Sequence, residues 1–174
     1  DSKDVSIEPK IGIFDNISPL DYRYYGRNDE LFGKLQPYLS ENAMVKYMAK
    51  VEAALTNVLA KNGICSKKIA DEVEKACKRV TAEEVYLEED RLKHNVRALA
   101  NCIRSKVSDE TKPFVHFTAT SHDIISTADA LRYKEFTNNA LIPKLVEFEK
   151  TLIDIALREK NTLQVGRTHG QHAE

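Results

Sequence analysis

Residues 141–157 carry the pattern that most limits what the chain can become. Leu141, Leu145, Phe148, Leu152 and Ile155 recur at steps of four and three, and Ile142, Val146 and Ile153 widen the stripe. This is helical periodicity with an apolar face too broad for one neighbour to cover, so the helix belongs in a bundle with several partners. Pro143 lies within the region, so either a new helix starts near Asn139 or one long helix kinks there. No internal repeat within the 174 residues supplies the missing partners.

Upstream, the same period recurs with start signals in front of it. Ser40 is placed to cap a helix marked by Met44, Met48, Val51, Leu55, Val58 and Leu59, which Gly63 ends. Ser66 opens a second, marked by Ile69, Val73, Cys77 and Val80, and Thr81 with Glu84 forms a capping-box pattern at the start of a third. Over residues 89–107, Leu92, Val96, Leu99, Ile103 and Val107 fall on one helical stripe. At about 100° per residue, His94 sits roughly 160° from the centre of that stripe and points away from its own core. Residues 1–20 show no sustained period and read as an extended arm. With no Trp and few Gly and Pro, the reading is all-α: an N-terminal helical domain over 1–119, with its arm, and the first part of a central long-helix bundle over 120–174.

Charge and cysteine usage narrow the class. The net charge of −1, with acids and bases interspersed, gives no nucleic-acid footprint, and no apolar run approaches membrane-spanning length. Cys65, Cys77 and Cys102 are odd in number and far apart, which implies reduced thiols and a cytoplasmic protein. His169 and His172 stand three apart, but no Cys or carboxylate cluster completes a metal spacing, so neither a metal nor another cofactor is expected.

Four stretches have the composition of a site. At 166–174, two glycines, an arginine, a threonine and two histidines form an irregular tail in which a histidine beside hydroxyls and amides could act as a general acid, or simply be exposed in a turn. At 18–27, two arginines among three tyrosines suit a phosphate and a flat ring, or an arm packing on its own domain. His94 is a surface histidine or part of a site that another element completes. Thr120 with Asp123 is a capping pattern whose helix N-terminus could take a carboxylate or phosphate.

Taken together and in order, Ser18-Pro19-Leu20-Asp21-x-Arg23-Tyr24, Lys93-His94-Asn95-Val96 on a helix, Thr120-Ser121-x-Asp123 opening a helix, and Gly166-Arg167-Thr168-His169-Gly170-Gln171 resemble the adenylosuccinate lyase family of the fumarase and aspartase superfamily. Gly170 directly after His169 is the most telling match, since sister lyases usually carry leucine there. The resemblance implies elimination of fumarate from adenylosuccinate to give AMP, and from the succinyl-carboxamide ribotide of purine synthesis. It implies His169 as general acid for the departing nitrogen, and His94 as the second active-site histidine in a site shared between subunits of a homotetramer. It gives Arg23 and Tyr24 to the nucleotide phosphate, and Lys93, Asn95, Thr120 and Ser121 to further substrate contacts. The family's general base, a serine on a mobile loop, falls downstream of the Thr-His-Gly motif and outside these residues, so this chain alone is expected to be inactive. Asn95 stands where Asp is common, Tyr22 where Gly is frequent and Thr118 where Gly is common. Another fumarate-releasing lyase or cycloisomerase of the superfamily, or a non-catalytic helical module, are the alternatives.

Overall fold

The computed structural model describes residues 12–15, 17 and 27–173. Its elements are helices α1 (Asp29–Leu39), α2 (Glu41–Lys61), α3 (Lys67–Cys77), α4 (Ala82–Leu92), α5 (Asn95–Arg104), α6 (Ser121–Phe136) and α7 (Ile142–Glu159), with short 3₁₀ turns at Ile13–Asp15 and Lys112–Phe114. Two strands, β1 (Gly166–Thr168) and β2 (Gln171–Ala173), close an antiparallel hairpin. The described residues are therefore all-α but for that hairpin. They form two compact units, one ending at Phe136 and one starting at Thr137.

In the first unit the helix starts read from sequence are in place. The Ser40 hydroxyl accepts from the Ala43 amide at 3.2 Å and that of Ser66 from the Ile69 amide at 3.3 Å. Thr81 and Glu84 complete a reciprocal capping box, both bonds at 3.3 Å. Each bond satisfies an amide that a helix end leaves unpaired. Helix α1 is an addition to the sequence reading: Gly33 and Pro37 mask it, while Asn28, accepting from the Leu31 amide at 3.0 Å, starts it. The described part of the N-terminal arm is a 3₁₀ turn whose Phe14 stacks on Tyr86, ring centroids 5.1 Å apart.

Helix α2 is the axis of this unit: α3 and α6 pack along it, and α4 pairs with α5. Its buried face is not the one that spacing alone suggests. Val45, Met48, Ala49, Glu52, Ala53, Thr56 and Leu59 are buried, whereas Val58 is 52 % exposed and Met44, Val51 and Leu55 sit at the edge. With helices on two flanks, the inner face is chosen by where they close in, and small residues there permit near approach.

A second correction concerns residues 89–107, which do not form one helix. Lys93 adopts a left-handed conformation, φ 57°, and ends α4, so the Lys93-His94-Asn95-Val96 motif spans a break between helices. Val96, Leu99 and Ile103 are fully buried on α5 as their spacing implies.

In the second unit, a π-helical turn, Thr137–Leu141, leads into α7, with Pro143 in its first turn, where a missing amide proton is tolerated. The stripe on α7 is exposed: Leu145, Phe148, Leu152 and Ile153 each show half or more of their surface.

Candidate active site

The break after α4 shapes the site. His94 is the N-cap of α5: its backbone is extended, and its ring Nδ1 accepts from the Arg97 amide at 3.3 Å. With Nδ1 accepting, the ring proton belongs on Nε2, which lies 3.5 Å from the Ser121 hydroxyl, at the outer limit of a hydrogen bond. His94 is exposed, as its helical angle suggests, although it caps a helix instead of riding on one.

Ser121 is the first residue of α6. The amide of Thr120, before it, donates to the Asp123 carboxylate at 2.9 Å, which is half of the expected reciprocal cap. His94, Thr120 and Ser121 line one cavity of about 200 Å³ with Arg97, Arg104 and His116. Two arginines and two histidines line the same small space beside the start of α6, a lining that favours an anion such as a short carboxylic acid.

The loop from Val115 to Thr120 is held by Arg104, whose Nη2 donates to the Val115 carbonyl at 2.9 Å. Within it His116 and Thr118 are left-handed, φ 61° and 65°. Histidine visits this region more readily than most residues, but a β-branched threonine does so at a cost, which explains why glycine suits position 118.

His116 turns inward, its Nδ1 2.6 Å from Oε1 of Glu52, which is fully buried in the middle of α2. Burial raises the Glu52 carboxyl above the ordinary carboxylate range, against the opposing pull of hydrogen bonds and charge from His116 and, less, of Arg104. Spacing arguments single out neither residue. The available signal is that position 52 falls on the inner face of α2 between Met48 and Leu59 yet is acidic.

The other sequence-derived residues are placed differently. Lys93 is exposed and ion-paired to Asp90 at 3.7 Å. Asn95 turns its Oδ1 to its own helix, accepting from the Val96 amide at 2.7 Å, and lines a separate cavity with Tyr86 and Arg132. Arg23 and Tyr24 lie outside the described residues. His169, in the second unit, sits at the tip of the hairpin with Gly170, φ 50° and 73°, the two-residue turn in which both positions need a left-handed backbone. Its Nδ1 is 3.1 Å from the Thr168 hydroxyl. The tail expected to be irregular is thus a short hairpin, set by Gly170.

Residues 22–174 match the family described as Lyase. The chain belongs to that lyase family. Adenylosuccinate lyases from Archaeoglobus fulgidus and Methanocaldococcus jannaschii are 38% identical over 157 residues and 36% over 159, each match covering 90% of this chain and 33% of the relative. An N-acetyl-S-(2-succino)cysteine lyase from Enterococcus italicus is 32% identical over 149 residues, covering 84% of this chain and 32% of the relative. The chain therefore spans about a third of the length of the curated relatives it matches. Among solved structures, a fumarate lyase from Mesorhizobium sp. BNC1 superimposes with a TM-score of 0.67 at 24% identity, over 83% of this chain and 33% of that one. The β-carboxy-cis,cis-muconate cycloisomerase of Acinetobacter calcoaceticus gives 0.66 at 21%, over 81% of this chain and 34% of that one. These two likenesses show the fold.

Proposed function

We propose that this lyase eliminates fumarate from adenylosuccinate, giving AMP, and acts in the same way on the succinyl-carboxamide ribotide of purine synthesis. The observation that carries the reading is the cationic cavity at the start of α6, where His94, Arg97, Arg104 and His116 meet Ser121. Removing a proton beside a carboxylate builds negative charge, and groups of this kind stabilise it. The leaving purine nitrogen needs a proton, the role we assign to His169, while His94 with Lys93, Asn95, Thr120 and Ser121 positions the succinyl group and Arg23 with Tyr24 holds the phosphate. The exposed apolar face of α7 supports burial against other copies in a homotetramer whose subunits share sites. The free thiols of Cys65, Cys77 and Cys102 support a cytoplasmic enzyme. We keep the domain division after Ala119, in the loop before α6, as part of this reading.

The relative that acts on N-acetyl-S-(2-succino)cysteine supports a second reading, a lyase for another succinyl adduct. Fumarate release from adenylosuccinate, N-acetyl-S-(2-succino)cysteine and argininosuccinate, assayed in parallel with the full-length natural protein, separates the two. Release from adenylosuccinate is the expected result, and release only from another substrate overturns the first reading. The 174-residue chain by itself is expected to give no turnover, because the proposed general base lies outside it.

A further inference from the structure

We infer that Glu52 is a positioning residue of this cavity: it holds the proton of His116 on Nδ1 and so presents the ring's Nε2 to the ligand. The inference rests on reading the cavity as the lyase site.

A carboxylate in the middle of a core helix face is costly, and a leucine there would pack without that cost. Glu52 is fully buried, and only one of its oxygens is accounted for: Oε1 meets His116, while Oε2 is buried without a hydrogen-bond partner among the described residues. Most buried polar atoms in folded proteins are hydrogen-bonded, so an orphan carboxylate oxygen calls for an explanation. The His116 backbone is left-handed where its ring meets Glu52. The His116 side chain stays 20% exposed and lines the cavity, so with Nδ1 engaged, Nε2 is its one remaining polar atom for a ligand.

The two histidines of the cavity are then wired in opposite senses. His94 accepts an amide proton at Nδ1 and offers Nε2–H, a fixed donor. His116 donates at Nδ1 and offers an Nε2 that accepts a proton when neutral and donates one after gaining it, with Glu52 as the counter-charge behind it. The ligand in this cavity would thus meet one fixed donor and one nitrogen able to act in either sense.

The test uses the full-length natural protein labelled with ¹⁵N in its histidine rings, the His116 signals being assigned by loss in H116Q. At neutral pH the wild-type ring is expected to show the proton on Nδ1. A proton on Nε2 with a bare Nδ1 overturns the inference, and this readout does not depend on activity. In E52L the ring is expected to lose its single tautomer and kcat on adenylosuccinate to fall about 10- to 100-fold, by analogy with loss of the carboxylate behind a metal-bound histidine. The ring signals and kcat, not the melting temperature, separate positioning from a structural role, since E52L also leaves Nδ1–H without its partner. E52Q, which keeps an oxygen for Nδ1–H but no counter-charge, is expected to recover the tautomer and only part of the rate. Unchanged kcat and unchanged ring signals in E52L overturn the inference. If the wild-type protein leaves adenylosuccinate intact while the ring shows Nδ1–H held by Glu52, the substrate assignment falls and the pairing stands.

Discussion

His94 supports α5 as well as facing the cavity, and the two roles separate by substitution. Its Nδ1 satisfies the Arg97 amide, one of the orphan donors at the start of a ten-residue helix whose Val96, Leu99 and Ile103 are fully buried. Removing a helix N-cap costs about 1 kcal/mol, and the 3.3 Å length puts this one toward the weaker end. H94A should therefore lose about 0.5–1 kcal/mol, a fall in melting temperature of roughly 1–4 °C for a chain of this size. Asparagine is among the best N-caps, so H94N should melt at or above the wild-type temperature. Helical circular dichroism followed through heating, with urea titration for free energy, measures both. H94N losing as much as H94A would refute the capping argument, as would H94A melting like wild type. Fumarate release by the full-length natural protein carrying H94N then reads the chemical role with the cap intact, and we expect it to collapse.

Thr118 holds φ 65° on an exposed loop. A left-handed backbone costs a non-glycine residue about 1–2 kcal/mol, and the greater unfolded freedom of glycine returns about 0.5–1, so T118G should gain about 0.5–1 kcal/mol in urea unfolding. A less stable T118G would show that the loop does not need this conformation. Glu72 accepts from the Thr111 hydroxyl and from the Ser108 amide and hydroxyl, which together hold its carboxyl below the ordinary range. A lowered folded-state value stabilises above the unfolded one, about 4.5, and that stabilisation is lost as pH falls through the folded value. Wild type should thus exceed E72Q in urea midpoint at pH 7 and converge with it in acid, and a gap independent of pH would refute this.

The features legible in the sequence are those that neighbours in the chain decide. A cap and its amide lie three residues apart, and a helical stripe repeats every three or four, so Ser40, Ser66, the Thr81–Glu84 box and the buried Val96, Leu99 and Ile103 follow from local rules. Motif order brought His94, Thr120 and Ser121 into view, and the structure sets them around one cavity. The break at Lys93 was hidden because α4 and α5 keep the apolar period across it, and one left-handed residue leaves little trace in composition. Arg97, Arg104 and His116 entered the cavity only through the packing of α5 against the loop before α6, and Glu52 meets His116 across 64 residues of chain. Such a contact is set by how helices close on one another. Periodicity says which side of a helix avoids water, whereas the partner of a buried charge is chosen by the tertiary fold.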